Sequence, residues 1–216
     1  QLGYIAIPTA NHDFQRPNIG TRNTMDQLKV AMTFFLTMPG VPFIYYGDEI
    51  GMKYQMNLPT KEGSNERAGT RTPMQWAAGP TAGFSTCEPA RLYFPVDTED
   101  GKLTVEAQEK DPNSLLNFTR ELVRLRHAHS ALHGNGEWEL VSKESQPYPM
   151  VYKRTAGGET VVVAINPSAR KVSARIPHLG KARPLSMTGE ATYKTGDKGD
   201  VINLKAISAA VFKIIE

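Results

Sequence analysis

Residues 40–51, GVPFIYYGDEIG, decide the fold. Residues 41–46 form a compact β-branched and aromatic run, of the kind that is buried on both faces of a parallel sheet. Upstream, the capping-box pair Thr24 and Gln27 opens an apolar pattern with helical spacing that ends at a Pro-Gly pair. Residues 2–7 form a further short apolar run, which predicts another strand. The order strand, helix, strand predicts a parallel βαβ unit.

Downstream of this unit the periodicity weakens and then changes. Residues 51–110 are rich in Gly, Pro, Thr and charged residues, and their length predicts a functional excursion rather than an ordinary connection. Asp111, followed by Pro112, predicts the start of a helix. After residues 134–136, Gly-Asn-Gly, the pattern alternates as in strands, which predicts an antiparallel β-sandwich. The six predicted strands span residues 137–141, 150–154, 160–165, 171–176, 201–204 and 209–214.

The composition excludes several classes of protein. The chain has 216 residues, 40% of them hydrophobic, and a formal net charge of +3, which fits one large or two modest globular domains. Lys and Arg are scattered and form no basic run, so nucleic acid is not an expected partner. No apolar stretch approaches the roughly 20 residues that span a bilayer. We therefore expect no membrane partner and a soluble protein, either cytoplasmic or exported. Cys87 is the only cysteine, which excludes an intrachain disulfide and a thiol metal cluster.

Four segments together carry a family resemblance. Residues 11–13, Asn-His-Asp, follow the first predicted strand, at the end of a parallel strand where barrel enzymes build active sites. Residues 67–76 read RAGTRTPMQW, and residues 161–168 read VVVAINPS. With residues 40–51, these segments resemble glycoside hydrolase family 13, the α-amylase family, in its oligo-1,6-glucosidase and α-glucosidase branch. The resemblance covers essentially the whole chain.

The resemblance implies a fold of the class α/β plus all-β. It consists of the C-terminal portion of a (β/α)8 TIM barrel, with strands 7 and 8 and helices 7 and 8, followed by an antiparallel β-sandwich. We place the barrel portion at residues 1–133 and the sandwich at residues 134–216. A complete barrel takes about 250 residues. The open strands are therefore expected to pair with the missing N-terminal barrel segment or with another copy of the chain, or to be disordered.

The chemistry of the family assigns roles to individual residues. Retaining cleavage of a glycosidic bond needs a carboxylate nucleophile and a carboxyl acid/base about 5 Å apart, and positive charge develops on the sugar ring. By resemblance, Asp13 is the third carboxylate, a transition-state stabiliser, and His12, Arg16 and Arg71 bind the substrate. For His12 and Asp13 the alternative is a local Asx-turn, with the histidine bonded to a loop carbonyl. For Arg16 it is a surface ion pair with an acidic residue. Trp76 is expected to pack in the core.

By the same resemblance, the nucleophile and the acid/base lie upstream of residue 1, so this chain alone is predicted to be inactive. The pair Asp48 and Glu49 is no substitute, because adjacent strand residues point to opposite faces, and structural hydrogen-bonding roles are expected for both. No metal or other cofactor is predicted. The histidines at 127, 129 and 133 indicate a solvated helix end instead.

Two classes of function remain open. The leading one is the C-terminal part of an enzyme that hydrolyses short α-glucosides or transfers their glucosyl units, with trehalose and sucrose isomerases as variants. An α-glucoside or oligosaccharide is then the expected partner. The other class is a glucosidase-like interaction module without catalysis. An aspartate after barrel strand four and a glutamate after strand five, in the upstream sequence, would favour the enzyme.

Overall fold

The computed structural model describes residues 4–59, 67–97, 101–143 and 145–215. The chain divides into two compact units: one takes in the described parts of residues 1–7, 29–42 and 121–216, and the other those of residues 8–28 and 43–120. No helix in the described part of the chain is both long and apolar enough to cross a membrane. The elements before the sandwich are β1 Ala6–Pro8, α1 Met25–Thr37, β2 Val41–Phe43, α2 Val105–Lys110 and α3 Leu115–Ala128, with 3-10 turns at Asp48–Ile50, Ala68–Thr70, Pro89–Arg91 and Ser130–Leu132.

The strand, helix, strand unit is confirmed. The N–H of Val41 donates to the carbonyl of Ile5 at 2.8 Å, and the N–H of Thr9 donates to the carbonyl of Phe43 at 2.9 Å. The contacts advance in the same direction along both segments, so β1 and β2 are parallel. Helix α1 lies between them in the sequence.

The predicted capping box opens α1. The N–H of Gln27 donates to Thr24 Oγ1 at 3.3 Å, and the N–H of Thr24 donates to Gln27 Oε1 at 3.1 Å. Two backbone donors that lack a helical partner are thereby satisfied.

The two strands are shorter than predicted, and they are exposed. Val41 is 43% exposed, Phe43 56% and Ile5 71%. The prediction of burial on both faces is wrong for this chain, because β1 and β2 are each other's only sheet neighbours among the described residues. Residues 2 and 3 of the first predicted strand lie outside the described residues.

The sandwich contains all six predicted strands and two more. Strands β3 to β10 span Glu137–Leu140, Met150–Ala156, Glu159–Asn166, Val172–Ile176, Lys181–Thr188, Ala191–Lys194, Asp200–Leu204 and Ser208–Ile215. One sheet has the order β3-β4-β5-β10-β7 and the other the order β6-β9-β8, with antiparallel pairing throughout. The two unpredicted strands, β7 and β8, lie at sheet edges. Edge strands tolerate Pro184 and exposed polar side chains, so β7 lacks a clear alternating pattern, whereas β8 alternates over only four residues.

The central strand β5 is buried on both faces. Val161 and Val163 belong to one apolar cluster, together with Val30 of α1. Val162 and Ala164 belong to the other cluster, which also contains side chains of β6 and β9 and forms the interior of the sandwich. Successive strand residues point to opposite faces, so one continuous apolar run supplies both cores.

A buried arginine from α3 satisfies the C-terminal end of α1. Arg126 Nη1 donates to the carbonyls of Leu36 and Met38, each at 2.8 Å, and Nη2 donates to the carbonyl of Gly40 at 2.6 Å. The last carbonyls of a helix have no partner within the helix. The guanidinium supplies the donors that these carbonyls need.

A second arginine, Arg154 of β4, is fully buried. Its guanidinium donates to the carbonyls of Thr37, His133, Gly136 and Glu137. Burial lowers the pKa of Arg154 to about 10. The cation therefore joins the end of α1 to the start of the sandwich entirely through backbone oxygens.

Three backbone segments approach each other closely at two glycines. The N–H of Gly40 donates to the carbonyl of Gly134 at 2.8 Å. A Cβ at Gly134 would lie 2.7 Å from the carbonyl oxygen of Gly40, and a Cβ at Gly40 would lie 2.2 Å from that of Ile5. Gly40 also has a φ of 90°, which disfavours residues with a side chain.

In the other unit, a small apolar cluster forms around Ile50, Met52, Met74 and Leu116. Buried Gln108 ties it together: Nε2 donates to the carbonyl of Ile50 at 2.6 Å, and Oε1 accepts the N–H of Leu116 at 3.0 Å. Because both its nitrogen and its oxygen are hydrogen-bonded, the Gln108 amide holds the segment at Ile50 and the start of α3 in place.

The helix start predicted at Asp111 is wrong. Helix α3 begins at Leu115, and Ser114 precedes it, with its Oγ accepting the N–H of Asn117 at 3.2 Å. The carboxylate of Asp111 instead accepts the N–H of Asn113 at 2.8 Å in the turn before the helix. The excursion before it also contains α2, which was not predicted.

The prediction of a solvated helix end holds for His127, which is exposed in the last turn of α3, but not for His129. His129 lies beyond the last helical residue, and its side chain is only 12% exposed. Its Nδ1 lies 2.6 Å from Glu159 Oε1. His133 Nε2 lies 3.2 Å from the carbonyl of His127. Sequence spacing did not reveal Glu159, which is far away in the chain.

Glu159 makes the fold sensitive to acid. Burial alone would raise its pKa, but donors from Lys213, His129 and the N–H of Ala131 hold the pKa at about 2. This value lies below the ordinary 4.5, so the carboxylate stabilises the fold above pH 4.5, and that contribution is lost as the pH falls towards 2.

We expect Glu159→Gln to lower Tm by roughly 5–10 °C at pH 7, because charged hydrogen bonds worth about 2–3 kcal/mol weaken. The fall should be smaller at pH 3. Thermal unfolding followed by circular dichroism checks both values, with the exposed Glu106→Gln as the control. Equal shifts at the two pH values would contradict this.

Candidate active site

Thr9 brings the loops that follow β1 and β2 together. Its Oγ1 donates to Asp48 Oδ2 at 2.6 Å and accepts the N–H of Tyr45 at 3.0 Å. Asp48 is buried. The segment after β1 is thereby fixed against the segment after β2, at the ends of two parallel strands where barrel enzymes place their active sites.

Asn11 sets the direction of the candidate site residues. Its Oδ1 accepts the N–H of Asp13 at 2.7 Å and the N–H of Phe14 at 2.9 Å, which is an Asx-turn. The turn leaves the side chains of His12 and Asp13 exposed, at 68% and 38%. The turn considered as an alternative is therefore present, and it presents the imidazole and the carboxylate to solvent.

The carboxylate of Asp13 is held by two arginines and a histidine. Oδ1 accepts from Arg67 Nη1 at 2.9 Å and from Arg71 Nη2 at 3.3 Å. Oδ2 lies 3.4 Å from His12 Nε2. Arg71 Nε also donates to the carbonyl of His12 at 3.0 Å. The carboxylate is therefore fixed at the surface. Its Oδ1 accepts two hydrogen bonds, and its Oδ2 has only the longer contact with His12.

Arg67 is a site residue that sequence reasoning missed. It stands at the first position of the R-x-x-x-R spacing, and the 3-10 turn Ala68–Thr70 separates it from Arg71. The chain folds back at this turn, and both guanidinium groups donate to Asp13 Oδ1. The spacing was visible in the sequence, but only the turn shows that both arginines reach Asp13.

Arg16 lies beneath the site. It has no exposed surface, and it donates to Asp48 Oδ1 at 2.9 Å, to the carbonyl of Tyr46 at 2.6 Å and to the carbonyl of Thr70 at 2.9 Å. Its guanidinium carbon also lies 5.0 Å from the ring centre of Tyr45, within cation–π range. An ion pair with an acidic residue was the alternative considered for Arg16; the pair exists and is buried. The N–H groups of Arg16 thus connect the loop after β2 to the turn at Thr70 and do not face solvent.

Asp48 and Glu49 lie in the 3-10 turn Asp48–Ile50, so the strand geometry assumed for them is wrong. Burial raises the pKa of Asp48, against hydrogen bonds from Thr9 and Arg16 that lower it. Burial also raises the pKa of Glu49, against backbone N–H groups of Glu49 and Gly47 that lower it. The structural role predicted for Asp48 is confirmed. Glu49 Oε2 is buried without a hydrogen-bond partner among the described residues.

A cavity of about 410 Å³ lies beside Arg71. Trp76 is part of its wall and is 51% exposed, so the prediction that Trp76 packs in the core is wrong. The N–H groups of Trp76 and Ala77 both donate to the carbonyl of Ala82, which closes a short loop. That backbone turn anchors the loop, so the indole is not needed as its anchor.

Within the described residues, no three His, Cys, Asp or Glu side chains are grouped as they would be around a metal ion.

Comparisons with known sequences identify the family and relatives of this chain. The family profile described as Alpha amylase, catalytic domain, matches residues 3–135, and the profile described as Maltogenic Amylase, C-terminal domain, matches residues 139–210. The trehalose synthase/amylase TreS of Mycobacterium tuberculosis (strain ATCC 25618 / H37Rv) is 31% identical over 88% of this chain and 33% of that protein. The oligo-1,6-glucosidase of Parageobacillus thermoglucosidasius is 29% identical over 98% of this chain and 43% of that protein.

Among solved structures, an isomaltulose synthase mutant from Erwinia rhapontici NX5 in complex with D-glucose has a TM-score of 0.82 and 21% identity, covering 100% of this chain and 44% of that one. The chain thus spans less than half the length of these relatives. Its fold is the C-terminal portion of an α-amylase catalytic barrel followed by a C-terminal β domain, as predicted. Because the catalytic-domain profile matches more than half of its residues, the chain belongs to the α-amylase family, glycoside hydrolase family 13.

Proposed function

We propose that this chain is the C-terminal part of a retaining enzyme that acts on short α-glucosides, and that Asp13 stabilises its transition state. The observation that carries the proposal is the exposed Asp13 carboxylate, held by Arg67 and Arg71 beside His12. A fixed anion of this kind is suited to a sugar ring that becomes cationic as its glycosidic bond breaks.

The charged groups around Asp13 suggest a separate catalytic role for each residue. The nucleophile and the acid/base come from the part of the enzyme outside this chain. Among the described residues only His12 pairs with Asp13 Oδ2, so this oxygen is the one open to a sugar hydroxyl. The two arginines orient the carboxylate, and the imidazole of His12 donates to a hydroxyl of the same ring. Preorganised groups of this kind need no rearrangement as charge develops.

Arg71 and Arg16 take different roles in this proposal. Arg71 both contacts Asp13 and lines the neighbouring cavity, so its guanidinium can reach the substrate. Arg16 acts as a positioning residue: its buried pair with Asp48 and its bond to the carbonyl of Thr70 hold the Arg67 to Arg71 turn in place. Both roles depend on a planar, permanently charged guanidinium that can donate to several acceptors at once.

We also propose that residues 1–133 form part of the catalytic barrel and residues 134–216 its C-terminal sandwich. The exposed faces of β1 and β2 support the idea that the rest of the barrel covers them. Another copy of the chain is the alternative partner for these strands.

Glucosyl transfer or isomerisation is a second candidate for the parent enzyme. It is favoured by the names of the relatives, since several that are 31–35% identical over part or most of the chain are trehalose synthases. Analysis of the products formed from maltose separates the two reactions. Hydrolysis releases glucose alone, whereas transfer or isomerisation yields a new disaccharide.

The proposal predicts that the full-length enzyme releases p-nitrophenol from p-nitrophenyl α-glucoside and that this chain alone does not. The reason is that the two carboxyl groups that break the bond lie outside it. Absorbance of p-nitrophenolate measures both. Robust turnover by the isolated chain would refute this division, and an intact parent without turnover on any short α-glucoside would favour the non-catalytic module.

A further inference from the structure

A cavity of about 400 Å³ lies against the three-stranded sheet of the C-terminal sandwich. The volume falls within the roughly 300–1,000 Å³ that is typical of ligand pockets. Among the described residues that line the cavity, the charged ones are Lys171, Lys194, Lys205 and Glu190. Three cations and one anion leave a net charge of +2 in the wall. The cavity therefore favours an anionic ligand.

Strand pairing places three of these charged side chains in one row. Strand β9 pairs with β6 on one side and with β8 on the other, and Leu204 is opposite one residue of each. Antiparallel pairing then brings the residues that adjoin these three along the chain to the same end of the sheet. That row is Lys171, Lys205 and Glu190. The N–H of Lys205 also donates to the carbonyl of Glu190 at 2.9 Å, which fixes the backbone of the two against each other.

A fully buried asparagine holds the turns that carry two of the lysines. Asn166 Nδ2 donates to the carbonyl of Arg170 at 2.8 Å and to that of Lys205 at 2.6 Å. Its Oδ1 accepts the N–H of Ser168 at 3.1 Å and the hydroxyl of Ser168 at 2.7 Å. Because the backbone at both turns is held in this way, a ligand has only the lysine side chains left to order, which lowers the entropic cost of binding.

The lysine ammonium groups are available to a ligand. Lys171 and Lys194 are exposed, and neither has an ion pair in the part of the chain that the structure describes. Lys205 Nζ lies 2.5 Å from Glu190 Oε1, but the two side chains are 61% and 69% exposed. An ion pair this exposed is weak, so an anion can compete with Glu190 for Lys205. Lysine ammonium groups are common partners of phosphate.

Two neutral polar groups line the cavity beside the lysines. Asn203 of β9 and Thr192 of β8 are opposite each other, and Asn203 Nδ2 donates to Thr192 Oγ1 at 3.2 Å. Ile202 and Leu204 belong to the interior cluster, so Asn203 between them points to the outer face of the sheet. The amide oxygen of Asn203 and the hydroxyl proton of Thr192 are not used in this hydrogen bond. They complement the hydroxyl groups of a sugar, which both donate and accept.

We propose that this cavity binds a phosphorylated sugar, with the phosphate among the lysine ammonium groups and sugar hydroxyls at Asn203 and Thr192. A phosphate monoester carries about −1.5 to −2 charges at pH 7. This charge balances the +2 of the wall. Free inorganic phosphate is the other source of the same anion, but it has no sugar hydroxyls for the amide and the threonine. The inference does not depend on the proposed chemistry at Asp13.

Isothermal titration calorimetry of this chain with glucose 6-phosphate tests the proposal. We expect saturable binding that weakens as the salt concentration rises. Lys194→Gln should weaken binding by roughly tenfold, because it removes a charged hydrogen-bond donor. Glu190→Gln should instead tighten binding by roughly two- to fivefold, because it releases Lys205 and removes the only anion of the wall. Damage to the fold would not produce tighter binding.

Matched controls separate this site from general attraction to a basic surface. Lys181→Gln makes the same change at an exposed lysine of β7 that does not line the cavity, and it should leave the affinity within about twofold. Thr192→Val should weaken the binding of glucose 6-phosphate and leave that of inorganic phosphate unchanged. Circular dichroism verifies that each variant is folded.

Four results would overturn the proposal. The first is no saturable binding of glucose 6-phosphate. The second is an equal loss of affinity in Lys194→Gln and Lys181→Gln, which would indicate non-specific attraction. The third is equal affinity for inorganic phosphate and glucose 6-phosphate, which would remove the sugar from the assignment. The fourth is unchanged or weaker binding in Glu190→Gln, which would show that the charge of the wall does not govern binding.

Discussion

The Asp13→Asn variant of the full-length enzyme is expected to lose roughly 10² or more in kcat on p-nitrophenyl α-glucoside. The amide keeps the shape of the side chain and can still accept from Arg67 and Arg71, so the loop should keep its conformation. The amide carries no negative charge, and the cationic ring of the transition state loses its stabilising partner. KM should change much less than kcat, because the charge develops only in the transition state.

Steady-state kinetics at saturating substrate measure this effect. Asp26→Asn, the same change in the exposed first turn of α1, is a matched control and should leave kcat within about twofold. An unchanged kcat in Asp13→Asn would remove Asp13 from the mechanism. A comparable loss in both variants would mean that the effect is not specific to the site.

Replacing Arg154 with Met is expected to destabilise the fold by about 4 kcal/mol or more. The change leaves the carbonyls of Thr37, His133, Gly136 and Glu137 without their guanidinium donor, and each buried unsatisfied group costs about 1–3 kcal/mol. Methionine fills much of the space, so cavity formation contributes little. For a chain of this size the Tm should fall by roughly 10–15 °C.

Thermal and urea unfolding of the purified chain measure this change. Arg183→Met serves as the control, since Arg183 is an exposed residue of the edge strand β7, and it should shift Tm by no more than about 1–2 °C. Equal shifts in the two variants would show that the carbonyl bonds of Arg154 contribute little to stability.

Local sequence patterns predicted the regular elements well where burial enforces them. The continuous apolar run of β5 packs into cores on both faces, and the Thr24 to Gln27 box lies where α1 begins. The pattern failed at β7, because an edge strand needs no strict alternation, and at β8, because its alternation spans only four residues. It also misplaced the start of α3, since an acidic residue in a turn and a helix cap have similar sequence signatures.

The candidate site was predictable in outline but not in its contacts. The family resemblance identified residues 11–13 and the second arginine of the R-x-x-x-R segment, and the structure places them together. Whether an arginine faces solvent or an interior depends on partners that are distant in sequence. Arg16 is buried because Asp48 and two carbonyls surround it, and Arg67 reaches Asp13 because a turn bends the chain. No local pattern encodes such contacts.

The close approach at Gly40 and Gly134 limits how this protein can be re-engineered. A methyl group at either position would collide with a carbonyl oxygen that cannot move independently of its strand or loop. Both glycines should therefore be left unchanged when other positions of the chain are varied. A variant that unfolds after substitution at either glycine would therefore reflect this backbone collision and not the loss of a site residue.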